Sequence, residues 1–242
     1  MVTDHSTHTH IGSRPVNEDS IAIAEKDGYN CYILCDGLGG HGKGDLASQF
    51  VVGFVMNYFL TSADIEAFWA DVLDKAQDAL IAEQNRIGAQ FEMKTTAVIL
   101  VISGDSFRYG YIGDSRLYHF RKYKVAERSL DHSVPQMLAM AGDIKEKHIR
   151  QHPDRNRLLR VMGVEWDGSR YELSEWKPLQ SGDAFLLCSD GFWEPIIEKE
   201  MCKLLKKTDS ADEWLKAMAE RVMQNAAGTD MDNNSAIAVR IK

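Results

Sequence analysis

The chain has 242 residues, with 28 basic against 36 acidic side chains, a formal net charge of −8 with histidine neutral. Hydrophobic residues make up 44% and charged residues 26%, the composition of an ordinary globular chain long enough to bury its own core. The acidic balance argues against a nucleic-acid binder, which carries a basic face, and against adsorption to an anionic membrane. The surplus acid is either plain solubility charge or carboxylates gathered to hold cations.

The N-terminal twenty residues contain neither a basic n-region nor an apolar h-region, so no secretory signal is read there. The longest strongly apolar stretch, Val51 to Leu60, falls far short of the ~20 residues that span a bilayer. Cysteines occur at positions 31, 35, 188 and 202 with no Cys-x-x-Cys pair, which excludes a zinc ribbon or a thioredoxin-like motif. The expectation is a cytoplasmic, reduced protein forming a single domain over residues 1–242.

In chain order, the histidines at 5, 8 and 10 fit an exposed, half-ordered strand better than a metal tract. Strand-like runs follow at Ser20–Ala24 and Asn30–Cys35. Leu46–Leu60 reads as helix. Ile65, Phe68, Trp69, Val72, Ala76, Ala79 and Leu80 recur at spacings of three and four, the mark of an amphipathic helix. A cluster of strands comes next at Thr95–Ser103, Ser106–Ile112, Arg116–Arg121 and Lys124–Arg128, with Gly104-Asp105 and Gly113-Asp114 as turns. Residues 133–165 read as helical and then irregular. Strands return at Arg170–Trp176 and Asp183–Cys188, a helical pair fills Glu198–Gln224, and Ser235–Ile241 is a final strand. Strands in consecutive groups with helices in separate blocks predict an α+β fold with antiparallel sheets.

The glycine-rich turn after the second strand contains two decoys. Gly37, Gly39 and Gly42 spell G-x-G-x-x-G, but no βαβ unit follows. Gly37, Gly42 and Lys43 nearly spell a phosphate-binding loop, but Gly44 stands where a hydroxyl is needed for Mg²⁺. Asp230-Met-Asp232-Asn-Asn234 begins like a calcium loop, yet Ser235 and Ile241 stand where glycine and glutamate are required. A nucleotide-binding enzyme is therefore the weakest of the readings.

The acids themselves are more informative. Glu18 and Asp19 precede one strand, Asp36 ends the next, Asp114 sits in a turn, Asp190 follows an apolar strand, and Asp232 precedes the last one. A single Asp-Gly is usually only a turn. Several carboxylates held at strand ends repel one another unless cations neutralise them, and oxygen-only ligation suits Mg²⁺ or Mn²⁺ rather than Zn²⁺.

With these acids stand Arg14-Pro-Val-Asn-Glu18-Asp19, Cys35-Asp36-Gly-Leu-Gly-Gly-His41, Lys94-Thr-Thr96, Gly113-Asp-Ser-Arg116 and Asp131-His-Ser133. His152-Pro, Arg155-Asn-Arg-Leu158, Gly163, Ser189-Asp190-Gly191 and Asp232-Asn233 complete the series. In this order, over about residues 8–240, the sequence resembles the PP2C-type (PPM) metal-dependent protein serine/threonine phosphatases of the compact bacterial kind. The resemblance implies a β-sandwich of two antiparallel sheets flanked by helices, with a flap at about 134–157. It implies Mn²⁺ or Mg²⁺ as cofactor, two core ions and a third, with hydrolysis by a metal-activated water. Asp36 would bridge two ions. Asp190 and Asp232 would complete one site, the Gly37 carbonyl and, through water, Glu18 would serve the second, and Asp114 with Asp190 would form the third. Asp19 and Asn233 would support these ligands from behind, Asp19 by orienting water, and Arg14 would bind the substrate phosphate. Asp36, Asp190 and Arg14 would carry the catalysis. Phosphorylated proteins in a pathway with a cognate Ser/Thr kinase would be the partners of a monomeric enzyme, without nucleic acid or membrane. Leu38 departs from relatives that place a histidine there, and Lys94 departs from a common glycine. His41 reads as structural and Trp193 as core. The alternative is a non-catalytic relative that keeps the fold as a regulatory or binding module.

Overall fold

The computed structural model describes residues 3–39, 42–166, 168 and 170–242. The chain runs β1 (Thr3–His10), β2 (Asp19–Lys26), β3 (Tyr29–Asp36), α1 (Gly44–Thr61), α2 (Ile65–Ile87), β4 (Ala97–Ser103), β5 (Ser106–Ile112), β6 (Arg116–Arg121) and β7 (Lys124–Arg128). It continues with α3 (Val134–Ala141), a 3₁₀ turn (Glu146–Gln151), β8 (Glu172–Leu173), β9 (Lys177–Pro178), β10 (Ala184–Cys188), α4 (Asp190–Trp193), α5 (Glu198–Leu205), α6 (Ala211–Asn225) and β11 (Asn234–Ile241). One sheet has the order β1-β11-β10-β6-β7 and the other β2-β3-β4-β5-β8, with β9 also on β5. Every ladder among these strands is antiparallel.

The two sheets pack face to face with helices outside both. Strand β3 shows why. Cys31, Ile33 and Cys35 face a core shared with α1 and α2, while Tyr32 and Leu34 face a core shared with Phe185, Leu187, Ile237 and Val239 of the other sheet. Successive side chains point to opposite faces, so a strand covered on both sides must be apolar throughout. On the far side Tyr118, Phe120 and Leu186 pack with Trp193, Trp214, Leu215 and Met218 of the C-terminal helices. The four layers are thus helices, sheet, sheet, helices, the predicted α+β sandwich.

Local signals set the helix ends. Asp64 caps α2 by accepting from Ala67 N–H, and Gly88 closes it in the left-handed conformation. Ser133 and Ser210 cap α3 and α6 in the same way. The predicted strand Arg170–Trp176 is corrected: only Glu172–Leu173 pairs there, and the next pairing is Lys177–Pro178. Gly110 explains part of this. A Cβ there would lie 3.2 Å from a Leu173 methyl and 3.3 Å from the Trp69 ring, so the segment packs by its side chains as much as by a ladder. The N-terminal histidines lie on a fully paired strand, β1, rather than a half-ordered one. The short helix α4 after Ser189 has no counterpart in the sequence pattern.

Candidate metal and phosphate site

Antiparallel pairing brings the acids together. Asp19 is the register partner of Asp36, at the first residue of β2 and the last of β3. The N-terminus of β4 and the C-terminus of β5 lie at this same end, through Leu34↔Val98 and Ala97↔Ile112. In the second sheet, Cys188 at the end of β10 faces both Arg116 and Ala236, which puts Asp190, Asp114 and Asp232 at matching strand ends. One cleft of about 1040 Å³ is lined by Arg14, Glu18, Asp36, Gly37, Asp114, Asp190, Asp232 and Asn233. Every predicted ligand and the predicted phosphate contact therefore line one cavity.

Backbone hydrogen bonds lock the floor. Asp36 N–H donates to Thr96 Oγ1 (3.0 Å), and the Asp36 carbonyl accepts from Thr96 N–H (2.8 Å) and Thr95 Oγ1 (2.9 Å). Gly37 N–H donates to the Glu18 carbonyl at 3.0 Å. Asn233 accepts from Glu18 N–H at 2.8 Å and donates to the carbonyls of Ile11 and Val16 at 2.7 and 3.0 Å. One amide side chain so ties the Arg14 loop and Glu18 to the start of β11. The Asp19 carboxylate is 8% exposed and accepts from Ser189 Oγ at 2.8 Å, while its other oxygen, Oδ1, is buried without a partner among the described residues.

The glycine turn cradles Glu18 rather than a nucleotide. A Cβ on Gly39 would come within 2.0 Å of Glu18 Oε2, one on Gly44 within 2.7 Å of Oε1, and one on Gly37 within 2.1 Å of the Gly44 carbonyl. Among the described glycines of this turn only Gly42 has a left-handed φ. Close approach, more than turn conformation, demands the other three. His41 lies outside the described residues.

The electrostatics are those of crowded carboxylates. Burial first, then Asp19, Asp190, Asp114 and Asp232, hold the Asp36 carboxyl well above the usual carboxylate range. Asp114 is raised by burial and then by Asp190. Asp190 is raised by burial and Asp232, and shares a hydrogen bond with Asp36. Burial raises Glu18, with Asp45 and Asp232 adding to it. Asp232 instead accepts a fork from Arg14, Nε to Oδ1 at 3.0 Å and Nη2 to Oδ2 at 2.9 Å. Among the described residues no three His, Cys, Asp or Glu side chains close into a ready ligand group. The acids line the cleft near enough to perturb one another, and Asp232 is met by the Arg14 guanidinium.

These contacts favour cation binding over permanent pairing. The Arg14–Asp232 pair is about 40% exposed on both sides. Exposed pairs are worth only about 0–1 kcal/mol, so both partners are free to exchange for a phosphate and a cation. An all-oxygen set with a buried, unpartnered carboxylate oxygen behind it fits Mg²⁺ or Mn²⁺.

The protein phosphatase 2C family model matches residues 7–234. This chain belongs to the protein phosphatase 2C family. It is 30% identical over 205 residues to the serine/threonine phosphatase stp of Listeria monocytogenes, a match spanning 81% of this chain and 80% of that protein. Its structure is similar to serine/threonine phosphatase Stp1 from Staphylococcus aureus, with a TM-score of 0.90, 26% identity and coverage of 100% and 96% of the two chains. It is also similar to PppA of Pseudomonas aeruginosa, described as a key regulatory component of T6SS, with a TM-score of 0.81, 27% identity and coverage of 100% and 99%.

The phosphatase cleft also contains residues to which the sequence assigned no ligand or phosphate role, although Asn156, Arg157 and Leu158 belong to the Arg155-Asn-Arg-Leu158 motif. Asp45, in the first turn of α1, and the segment Asn156–Val161 line it. The lining on this side thus starts at the end of the predicted flap and runs past it. An acid in a first helical turn is too common to signal a site, and a loop arginine such as Arg157 or Arg160 looks like any solvated charge. Trp193 is buried, as expected for core, and donates from its indole to the Asp114 carbonyl at 3.0 Å.

Proposed function

We propose that this protein phosphatase hydrolyses phosphoserine and phosphothreonine on proteins with divalent cations held in the acid cleft, within a pathway that includes a Ser/Thr kinase. The observation that carries the residue assignment is the convergence of Glu18, Asp36, Asp114, Asp190 and Asp232 with Arg14 in one cavity at one end of the sandwich. Asp36, Asp190, Asp232, Glu18, Asp114 and the Gly37 carbonyl would hold two core ions and a third. When bound, such ions supply Lewis acidity, neutralising phosphoryl charge and lowering the pKa of water.

The chain's own residues do the rest. Arg14 swings its fork from Asp232 to the phosphoryl oxygens, a planar donor pair matched to phosphate geometry. Asp19, held by Ser189 and paired in register with Asp36, would orient water at the cluster. Asn233 keeps Glu18 and the Arg14 loop in register with Asp232. No cysteine or histidine nucleophile is needed: Cys31, Cys35 and Cys188 are buried in the cores. Burial pushes the Cys35 thiol far up, away from its reactive thiolate form.

The test is hydrolysis of a phosphothreonine peptide with Mn²⁺. Activity is expected with Mn²⁺, lost on EDTA and restored by excess Mn²⁺, and reduced by about 10²-fold or more in Asp190→Asn. Turnover that persists after complete metal removal, or at parent rate in Asp190→Asn, contradicts the assignment. Metal binding with no turnover on any phosphopeptide would instead favour the non-catalytic alternative.

A further inference from the structure

Lys94 lies just ahead of β4 and lines the same cleft as Arg14, Asp36 and Asp190. Its backbone is fixed against the acid cluster. The Lys94 carbonyl accepts from Leu38 N–H at 2.9 Å, and the next residue, Thr95, pairs with Met162 in both directions at 2.9 and 3.3 Å and holds the Asp36 carbonyl. Gly163 closes off the other side, where a Cβ would lie 2.1 Å from the Met93 carbonyl and 3.2 Å from Lys94 Cα. The main chain therefore cannot retreat, and only the four-carbon side chain is free to move.

Its charge is also uncommitted. Among the described residues no carboxylate lies within 4.0 Å of the Lys94 ammonium, whereas nearby Lys43 is paired with Glu92 at 2.9 Å and Arg14 with Asp232. A half-buried cation in a phosphatase cleft, rigidly based beside Asp36, is placed to meet an incoming anion. Lysine is a compact point charge with three donors on a flexible stem, suited to reaching a phosphate that Arg14 grips from the β11 side.

We propose that Lys94, based just ahead of β4, is a second cationic contact to the phosphoryl group of the substrate beside Arg14. The proposal rests on the phosphatase reading above and adds a substrate-contacting residue to it.

The experiment compares the parent with Lys94→Met and Lys94→Arg in saturating Mn²⁺, using a phosphothreonine peptide, p-nitrophenyl phosphate, and inorganic phosphate as competitive inhibitor. Lys94→Met should raise KM for both substrates and Ki for phosphate by about tenfold, the value of one charged hydrogen bond. Its kcat, thermal midpoint and calorimetric Mn²⁺ affinity should stay near the parent's, and Lys94→Arg should recover most of the loss. Unchanged KM and Ki in Lys94→Met overturn the proposal, as does a parallel loss of Mn²⁺ affinity. A fall in kcat alone with loss of the alkaline limb of the pH–rate profile also overturns it, since that would make Lys94 a proton donor to the leaving oxygen. A parent enzyme inert on both substrates would sink the phosphatase reading itself, while parity between variant and active parent sinks only Lys94.

Discussion

At the scale of single residues, the site depends on neutral as well as charged partners. His132 is 8% exposed, stacks on Tyr111 and accepts from Gly113 N–H at 3.1 Å, next to Asp114. Burial first, and then Arg160, push its pKa down to about 4 from 6.5, against the opposing pull of Asp131. The unfolded chain thus binds more protons than the folded one between those values, so stability rises with pH across this window. The contribution is fully present above about pH 6.5 and is lost as pH falls towards 4. Asp36 and Asp190 run the other way, because their raised pKa values favour the folded state at low pH. The comparison must therefore be between variants. In His132→Asn, whose amide oxygen can still accept from Gly113, the loss of unfolding free energy between pH 7 and 4.5 should shrink by roughly 2–3 kcal/mol. Urea titrations at the two pH values measure it, and an unaltered difference would refute the neutral-histidine account.

At the scale of elements, a buried ion pair ties β6 to the loop between β7 and α3. Arg116 forks onto Asp131 at 2.8 and 2.7 Å, both side chains are at most 2% exposed, and the guanidinium lies 3.4 Å over the Trp193 ring. Trp193 in turn holds the Asp114 carbonyl, and its helix starts at Asp190. Two acids of the cleft are thereby positioned by one packed unit. Removing one partner of a buried pair leaves an uncompensated charge and costs about 3–5 kcal/mol. Asp131→Asn should lower the urea midpoint accordingly at unchanged m-value. A loss below about 1 kcal/mol would show that Tyr118, Glu198 and Trp193 satisfy Arg116 without it. The element scale is also where the sequence misled. The run at 170–176 alternates like a strand, but its own Tyr171, Leu173 and Trp176 pack onto the α1–α2 core, and packing overrode the ladder.

At the scale of the whole molecule, the −8 charge divides into two populations. About half of the described acids are exposed, and several of these, such as Glu66, Glu172 and Asp212, pair loosely with surface bases. The cleft acids come from both sheets and repel one another in the folded chain only. Divalent cations bound there should therefore stabilise the fold more than they would any unfolded chain. At a hundredfold excess over Kd the linkage is about 2.7 kcal/mol, roughly 5–10 °C for a chain of this size. Thermal melts with Mn²⁺ and with EDTA test this, Asp190→Asn should show a smaller shift, and a Mn²⁺ shift equal in both proteins would place the binding elsewhere. No described helix is long and apolar enough to cross a membrane.

The sequence by itself determined the layered α+β architecture, because two-sided burial writes continuous apolar runs into β3, β4 and β10, and period-3.6 stripes into the helices. It also marked the acids, since aspartate at an apolar strand's end is conspicuous against its neighbours. Tertiary structure alone decided which strand ends meet, through registers such as Asp19↔Asp36 and Cys188↔Ala236. It also decided that Gly39 and Gly44 make room for Glu18, that Arg14 rests on Asp232, and that Lys94 joins the cleft. Those facts depend on distances between residues as much as 218 positions apart, and a linear pattern carries no such distances.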